Sequence, residues 1–462
     1  MLAREVIEDL IKVLGKENVL TEQEDLLTYA YDATAAMKHH KPGVVVSPLN
    51  VEQVAEVVKI ANRYKIPVYP RGSGTNLSGG TIPSEDSIVL SMLNLNKILE
   101  VDHDNLTATV QPGVIIQDLN NAVQQFGLIY PPDPGTVTTA TMGGSVSECS
   151  GGLRGLKYGV TKHYIMGLQV VLANGEVIRW GGKTVKNVTG YDLVALFTGA
   201  EGTLGIITEI LVKLIPAPEA RKSIMAVFDD VDKAGKAIAS IIRNKIIPAT
   251  LEIMDKVTIQ TVEHFVHAGL PLNAEAVLLI EVDGYKEVVE REAVLVEQIL
   301  KEEQAADVKI AKDDKERDLL WLARRSALPA LAQKRPTTVL EDATVPRSKI
   351  PDMIKAIRKI ADKHKLNIAT FGHAGDGNLH PTILTDERDL DEMKRVHLAV
   401  DEIFQTAISL GGTLSGEHGI GVAKMKYLDW EFGEAGVALL RSMKEALDPN
   451  YVLNPGKIVR RD

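Results

Sequence analysis

The sequence predicts an α+β protein of two domains, with a short C-terminal segment that returns to the first. Three observations lead there. The chain has 462 residues, more than one compact core usually holds, so two or three domains are the natural partition. Hydrophobic residues make up 45% and charged residues 25%, the balance of a folded globular chain without low-complexity stretches. The rhythm of apolar residues changes at Pro216-Ala-Pro218, which marks a boundary.

Ahead of that boundary, short strands alternate with amphipathic helices. Val44-Val45-Val46 reads as a buried strand, and a helix over about 51–65 follows with Val54, Val57, Val58 and Ala61 on one face. Val68-Tyr69-Pro70 runs straight into Arg71-Gly-Ser-Gly-Thr-Asn-Leu-Ser-Gly-Gly80. Strands near 88–90 and 107–110 precede a helix over roughly 115–126. From 131 to 155 the chain is rich in Gly, Ser, Thr and Pro and carries little helix or strand character. Residues 170–172, the Asn174-Gly175 turn and residues 177–180 read as a hairpin. Ile206, Thr208, Ile210 and Val212 alternate as a strand.

Beyond the boundary, strand 223–228, helix 231–244, strands 249–254 and 276–282 and helix 287–303 suggest a split βαβ, ferredoxin-like layer. Helices over 319–332, 350–365 and 390–410 follow, with strands near 339–343 and 368–371. A last helix over 437–447 leads into Asp448-Pro-Asn-Tyr-Val-Leu-Asn-Pro-Gly456. The domains expected are therefore 1–216, 217–415 and a closing segment 416–462.

Bulk properties exclude several classes. A net charge of −10 and no dense Lys/Arg run argue against nucleic acid or an anionic membrane as partner. No apolar run approaches the roughly 20 residues that span a bilayer, so no transmembrane segment is expected. The opening residues read as an amphipathic helix, not a signal peptide. The expected setting is the cytoplasm, peripheral to a membrane only through a partner. Cys149 is the one cysteine, which rules out an intramolecular disulfide and a cysteine-ligated iron–sulfur cluster within the chain. Redox chemistry here needs a borrowed cofactor and an external acceptor.

Two groups of residues carry chemistry. The loop Gly72-Ser-Gly-Thr-Asn76 suits an anion, because glycines let backbone N–H groups turn inward while Ser73, Thr75 and Asn76 add side-chain donors. It equally suits a ligand-free turn. Leu77 stands where a dinucleotide fingerprint needs its third glycine, and no Gly-Lys-Ser/Thr closes a Walker loop. The stretch 131–152 is long for a structureless loop, and such loops are usually functional. Glu201-Gly-Thr-Leu-Gly-Ile-Ile-Thr208 adds a third glycine turn. Among eleven histidines, most read as solvated or ordinary packing. Phe371-Gly-His-Ala-Gly-Asp-Gly-Asn-Leu-His380 sets two imidazoles at the ends of a glycine turn, and Ser415-Gly-Glu-His-Gly-Ile-Gly421 sets a carboxylate beside a third. Two imidazoles and one carboxylate make a three-ligand metal site with positions open for substrate. Two plain turns whose histidines bond to backbone fit the same residues.

Taken in order, Pro70-Arg-Gly-Ser-Gly-Thr-Asn76, Thr141-Met-Gly-Gly144, Gly151-Gly152, Tyr158-Gly159, Glu201-Gly-Thr-Leu-Gly-Ile-Ile-Thr208 and Asn454-Pro-Gly-Lys457 resemble the FAD-binding pattern of the vanillyl-alcohol-oxidase/p-cresol-methylhydroxylase (PCMH) superfamily. Over nearly its whole length the chain resembles the FAD-linked D-lactate dehydrogenase and glycolate oxidase catalytic-subunit family. The resemblance implies a two-subdomain PCMH-type FAD-binding domain, a ferredoxin-like substrate (cap) domain and a C-terminal segment returning to the FAD domain. It implies that Arg71, Gly72, Ser73, Gly74, Thr75 and Asn76 cradle the FAD pyrophosphate. Pro134, Gly135, Thr141, Gly144, Ser147, Gly151, Gly152, Glu201, Gly202, Gly205 and Ile207 would line the rest of the cofactor, with Asn454 from the returning segment. No His or Cys lies in the 71–80 loop, so the FAD is expected to be non-covalent and Cys149 a small packed residue.

The same resemblance implies a divalent metal (zinc, manganese or iron) on His373, His380 and Glu417, His418 as general base, and Asn378 near substrate and flavin. In Trp321-Leu-Ala-Arg324-Arg325 it implies that Arg324 grips the substrate carboxylate, a role suited to a guanidinium fork. The activity implied is oxidation of a small D-2-hydroxy acid, D-lactate or glycolate, to its 2-oxo acid by hydride transfer to flavin N5. Electrons would pass to an electron-transfer flavoprotein, an iron–sulfur subunit or a quinone, and the chain would act as a homodimer or in a hetero-complex. The 2-hydroxyglutarate branch carries a lysine shortly before the motif that here reads Asp342-Ala-Thr-Val-Pro346, and Leu340 stands in its place. That favours the smaller acid. Competing readings are a D-2-hydroxyglutarate dehydrogenase, a non-catalytic FAD electron-transfer subunit, and a metallohydrolase using the histidine–carboxylate set.

Overall fold

In the computed structural model, which describes residues 2–461, the helix Val51–Tyr64 shows how local sequence sets local structure. Asn50 caps it by accepting from Gln53 N, five of its apolar side chains with Ala55 are buried on one face, and it ends at Lys65 in the left-handed region. It packs in one apolar cluster with the helix Arg4–Leu14, through Val6, Leu10 and Leu14, and with the strands Val44–Val46 and Ile88–Ser91.

The chain divides into two units. The first takes the chain up to Gly151, then Val160–Ala217, then everything from Glu417 onward. It holds a four-stranded sheet in the order Val19–Leu20, Val44–Val46, Ile88–Ser91, Val68–Arg71, the last three mutually parallel. The C-terminal segment adds to its edge: Val68 N donates to Val452 O (2.7 Å) and Asn454 N to Val68 O (2.8 Å). A second, antiparallel sheet runs Ile98–Asp102, Thr107–Val110, Ile206–Lys213, Ile165–Val171, Val177–Gly181, and its last pair is the expected hairpin.

The stretch 131–155 is not without structure. Met142–Glu148 is an α-helix, capped by Thr141 Oγ1 accepting from Gly144 N (3.2 Å). Two glycines in its first turn hide it from propensity, but Gly143 sits so close to Pro112 that a Cβ would lie 2.5 Å from that ring. The last helix, Leu428–Leu447, likewise starts earlier than its periodicity suggests and breaks at Gly433 (φ 65°).

The second unit comprises Gly152–Gly159 and Pro218–Gly416. Its strands Ala220–Phe228, Thr250–Asp255, Ala276–Gly284 and Asp307–Ile310 lie in the spatial order fourth, first, third, second, the ferredoxin-like arrangement. The sheet then continues past Thr250–Asp255 into the hairpin Asn367–His373 and Asn378–Thr385, paired at Met254 with Phe371. Asn378–Thr385 was not expected as a strand; it is buried throughout and so lacks the alternation of a half-exposed one. The helix expected over 319–332 is two, Asp314–Arg325 and Ala327–Lys334, divided at Ser326. Gly152–Gly159 joins this unit through Asp283, whose backbone oxygen accepts from Lys157 Nζ (2.6 Å) and whose carboxylate accepts from Tyr158 OH (2.7 Å). Among the described residues no helix is long and apolar enough to cross a membrane.

Candidate active site

In the first unit the end of Val68–Arg71, the start of Met142–Glu148, the Glu201–Gly205 turn and Asn454 converge on one cavity. Its wall includes Arg71, Gly72, Thr141, Gly144, Ser147, Glu201, Gly202, Gly205, Ile207 and Asn454. Ser73, Gly74, Thr75, Asn76, Pro134, Gly135 and Gly151 lie in the same unit outside that wall, and Gly152 belongs to the second unit. The glycines are there for space. A Cβ on Gly72 would stand 2.3 Å from Thr141 Oγ1, and one on Gly202 (φ +68°) 2.6 Å from Pro70 Cγ. Close backbone walls with few side chains fit a flat, phosphate-bearing cofactor.

The polar groups around the cavity mostly bond to one another. Arg71 is buried, with Nη1 donating to Tyr31 O (2.7 Å) and Thr81 Oγ1 (3.2 Å). Asn76 Oδ1 accepts from the N–H groups of Ser78 (2.9 Å) and Gly80 (2.6 Å), so it shapes its own loop. Asn454 Nδ2 donates to Gly80 O (3.0 Å) and Glu201 O (2.5 Å), tying the returning segment to both glycine turns. Burial pushes the Glu201 carboxyl up, although it accepts from Ile420 N (2.6 Å) and Gly421 N (2.8 Å). Burial, then the charges of Glu201 and Asp32, push the Glu148 carboxyl well above the usual range. Cys149 is partly buried and its thiol is pushed up by burial, as for a packed residue.

The second unit gathers Arg324, His373, His380 and Asn378. The two histidines come together because their strands form a hairpin in which Phe371 faces His380 and His373 faces Asn378. Their rings lie 5.2 Å apart, edge to face. His373 Nδ1 lies 2.7 Å from Glu252 Oε1, and a carboxylate acceptor there leaves His373 Nε2 as the ring's electron-pair donor. Asp342, fully buried, lies 4.0 Å from His380 Nδ1 and accepts from Ser415 Oγ (2.7 Å) and Gly416 N (2.8 Å). Asn378 is buried beside Thr344, whose hydroxyl donates to its Oδ1 (3.0 Å). An imidazole oriented by a carboxylate, as His373 is by Glu252, is a donor suited to a divalent transition-metal ion.

Arg324 is buried near the end of its helix, its guanidinium 4.8 Å from the centre of the Phe371 ring. Its Nε donates to Glu252 Oε2 (2.6 Å), and Nη2 lies 2.5 Å from the same oxygen. Burial favours a neutral Glu252, but Arg324 and His373 outweigh it and hold the carboxyl below its ordinary value. Glu417 and His418 belong to the first unit. Gly151 packs so closely on Glu417 that a Cβ would lie 2.7 Å from Oε2, and the backbone oxygen of His418 accepts from Ser78 Oγ.

Sequence reasoning overlooked Glu252 and Asp342. The signal for Glu252 was present: a carboxylate within Thr250-Leu-Glu-Ile-Met-Asp255, an otherwise apolar strand buried at every position. On the cavity wall it assigned no role to Thr81, nor singly to Gly80 and Gly143, which lie within motifs it quoted, nor to Glu148, next to Ser147.

Residues 217–458 match the family described as FAD linked oxidases, C-terminal domain, and residues 42–181 match the FAD binding domain. The chain is 51% identical over 462 residues to the glycolate oxidase subunit GlcD of Bacillus subtilis, covering 100% of this chain and 98% of that protein. It is 36% identical over 461 residues to a D-lactate dehydrogenase of Anaerostipes hadrus, covering 97% and 96%. Substrate-bound p-cresol methylhydroxylase shares the fold, with a TM-score of 0.84 at 20% identity over 100% of this chain and 99% of that one. With the glycine-walled cavity in one unit and the ferredoxin-like sheet in the other, these matches are decisive: the chain belongs to the FAD-linked oxidase family and is an FAD-linked oxidoreductase.

Proposed function

We propose that this chain oxidises a small D-2-hydroxy acid, D-lactate or glycolate, to the 2-oxo acid. FAD would be held non-covalently by Arg71–Asn76, Pro134, Gly135, the 141–152 segment, the Glu201–Ile207 turn and Asn454, and a divalent metal by His373, His380 and Glu417. The observation that carries this reading is the pairing of His373 and His380 on one buried hairpin, with Arg324 stacked on Phe371 of the same strand. When bound, the flavin supplies a hydride acceptor and the metal supplies a Lewis acid.

The chain's own residues do the rest. Arg324 receives the substrate carboxylate, using donors that Glu252 leaves available. His418 takes the proton from the substrate hydroxyl oxygen, and Asn378 stands near substrate and flavin. Leu340 packs against the apolar cluster that holds Phe371, Leu320 and Ala323, and itself offers no cation to a second carboxylate. That supports the smaller acid over 2-hydroxyglutarate. Electrons leave to an external acceptor: an electron-transfer flavoprotein, an iron–sulfur subunit or a quinone. The Bacillus subtilis relative is named as a subunit, which supports a hetero-complex.

The test is an anaerobic visible spectrum of the purified protein, titrated with D-lactate, L-lactate, glycolate and D-2-hydroxyglutarate. D-lactate or glycolate should bleach the flavin band, with L-lactate and 2-hydroxyglutarate far weaker. A flavin bleached by none of the four would overturn the assignment.

A further inference from the structure

Glu252 sits in the middle of the strand Thr250–Asp255 with no exposed surface, between Leu251 and Ile253. An isolated carboxylate in such a place would cost far more than it could contribute, so its partners explain its presence. They are two. Oε1 lies 2.7 Å from His373 Nδ1, and Oε2 accepts from Arg324 Nε at 2.6 Å with Nη2 at 2.5 Å. These residues come from three separate elements: the helix Asp314–Arg325 and the adjacent strands Thr250–Asp255 and Asn367–His373.

We propose that Glu252 is a positioning residue that couples the metal-binding histidine to the substrate-binding arginine, one carboxylate setting the orientation of both. The proposal rests on the reading of His373 as a ligand and Arg324 as the substrate contact. The two oxygens divide the work. Oε1 holds a proton on His373 Nδ1 and so turns Nε2 outward as the electron-pair donor; outer partners of this kind govern a histidine's affinity for metal. Oε2 takes the Nε and Nη2 side of Arg324, while Phe371 takes its face at 4.8 Å. The guanidinium is thus fixed in both plane and rotation, and its Nη1 end is the part left to meet a carboxylate. A buried ion pair that served packing alone would tie Arg324 down without engaging a histidine.

The coupling makes a prediction that a packing role does not: changing the arginine should alter metal binding, although arginine is no ligand. The FAD-loaded full chain is titrated with Mn2+, following free Mn2+ by its paramagnetic resonance, alongside the apparent KM for D-lactate or glycolate. Glu252→Gln still accepts from His373 but turns an amide N–H2 toward Arg324. It should weaken Mn2+ binding by about 10- to 100-fold and raise KM, with FAD content unchanged. Arg324→Lys, which keeps the buried charge and so serves if Glu252→Gln fails to fold, should weaken Mn2+ binding several-fold. Mn2+ affinity equal to the parent's in Arg324→Lys, or in folded Glu252→Gln, overturns the coupling while leaving the metal assignment intact. A parent protein that binds no Mn2+ overturns the metal assignment itself and the coupling with it.

Discussion

Residue His418 is held by its backbone, whose carbonyl oxygen accepts from Ser78 Oγ, so the imidazole can be removed without releasing that tie. His418→Ala should keep FAD bound and slow anaerobic flavin reduction by roughly 100- to 10,000-fold, the usual contribution of a general base. Undiminished reduction in a stopped-flow measurement would remove His418 from that role. At this scale the sequence was most explicit where glycines frame a candidate side chain, as around His373, His380 and His418. It was least informative for Glu252 and Asp342, because what a buried carboxylate does depends on partners distant in the chain. His373 lies 121 residues from Glu252, and Arg324 lies 72 from it.

Elements add a second layer of constraint. The Glu201–Gly205 turn closes one side of the cavity, and Gly202 has φ +68° with Pro70 Cγ only 2.6 Å from where a Cβ would stand. Gly202→Ala combines left-handed strain with a clash, and should cost more than about 1 kcal/mol. Urea denaturation would measure that loss, and the FAD retained after gel filtration should fall with it. Unchanged stability and FAD content would mean the turn relaxes freely. The helix Met142–Glu148 makes the complementary point: Met-Gly-Gly-Ser has poor helix propensity, yet the Thr141 cap and contact with Pro112 install a helix that brings Gly144 and Ser147 to the cavity.

At the scale of the whole molecule, the proposed reaction needs both a flavin and a divalent cation. Treatment with a chelator should therefore abolish turnover while the flavin spectrum persists, and zinc, manganese or iron(II) should restore it. Full turnover in protein shown by elemental analysis to lack metal would remove the cation from the reaction.

The sequence by itself determined what is written in neighbouring residues. Periodicity located the helix Val51–Tyr64, the Asn174-Gly175 hairpin and the ferredoxin-like strands, and the ordered glycine motifs identified an FAD-linked oxidase. Tertiary structure alone decided that Asn378–Thr385 is a strand, that a glycine-rich loop contains a capped helix, and that Glu252 joins Arg324 to His373. The reason is physical: propensity and periodicity act over a few residues, whereas burial and charge pairing are fixed only when distant segments meet.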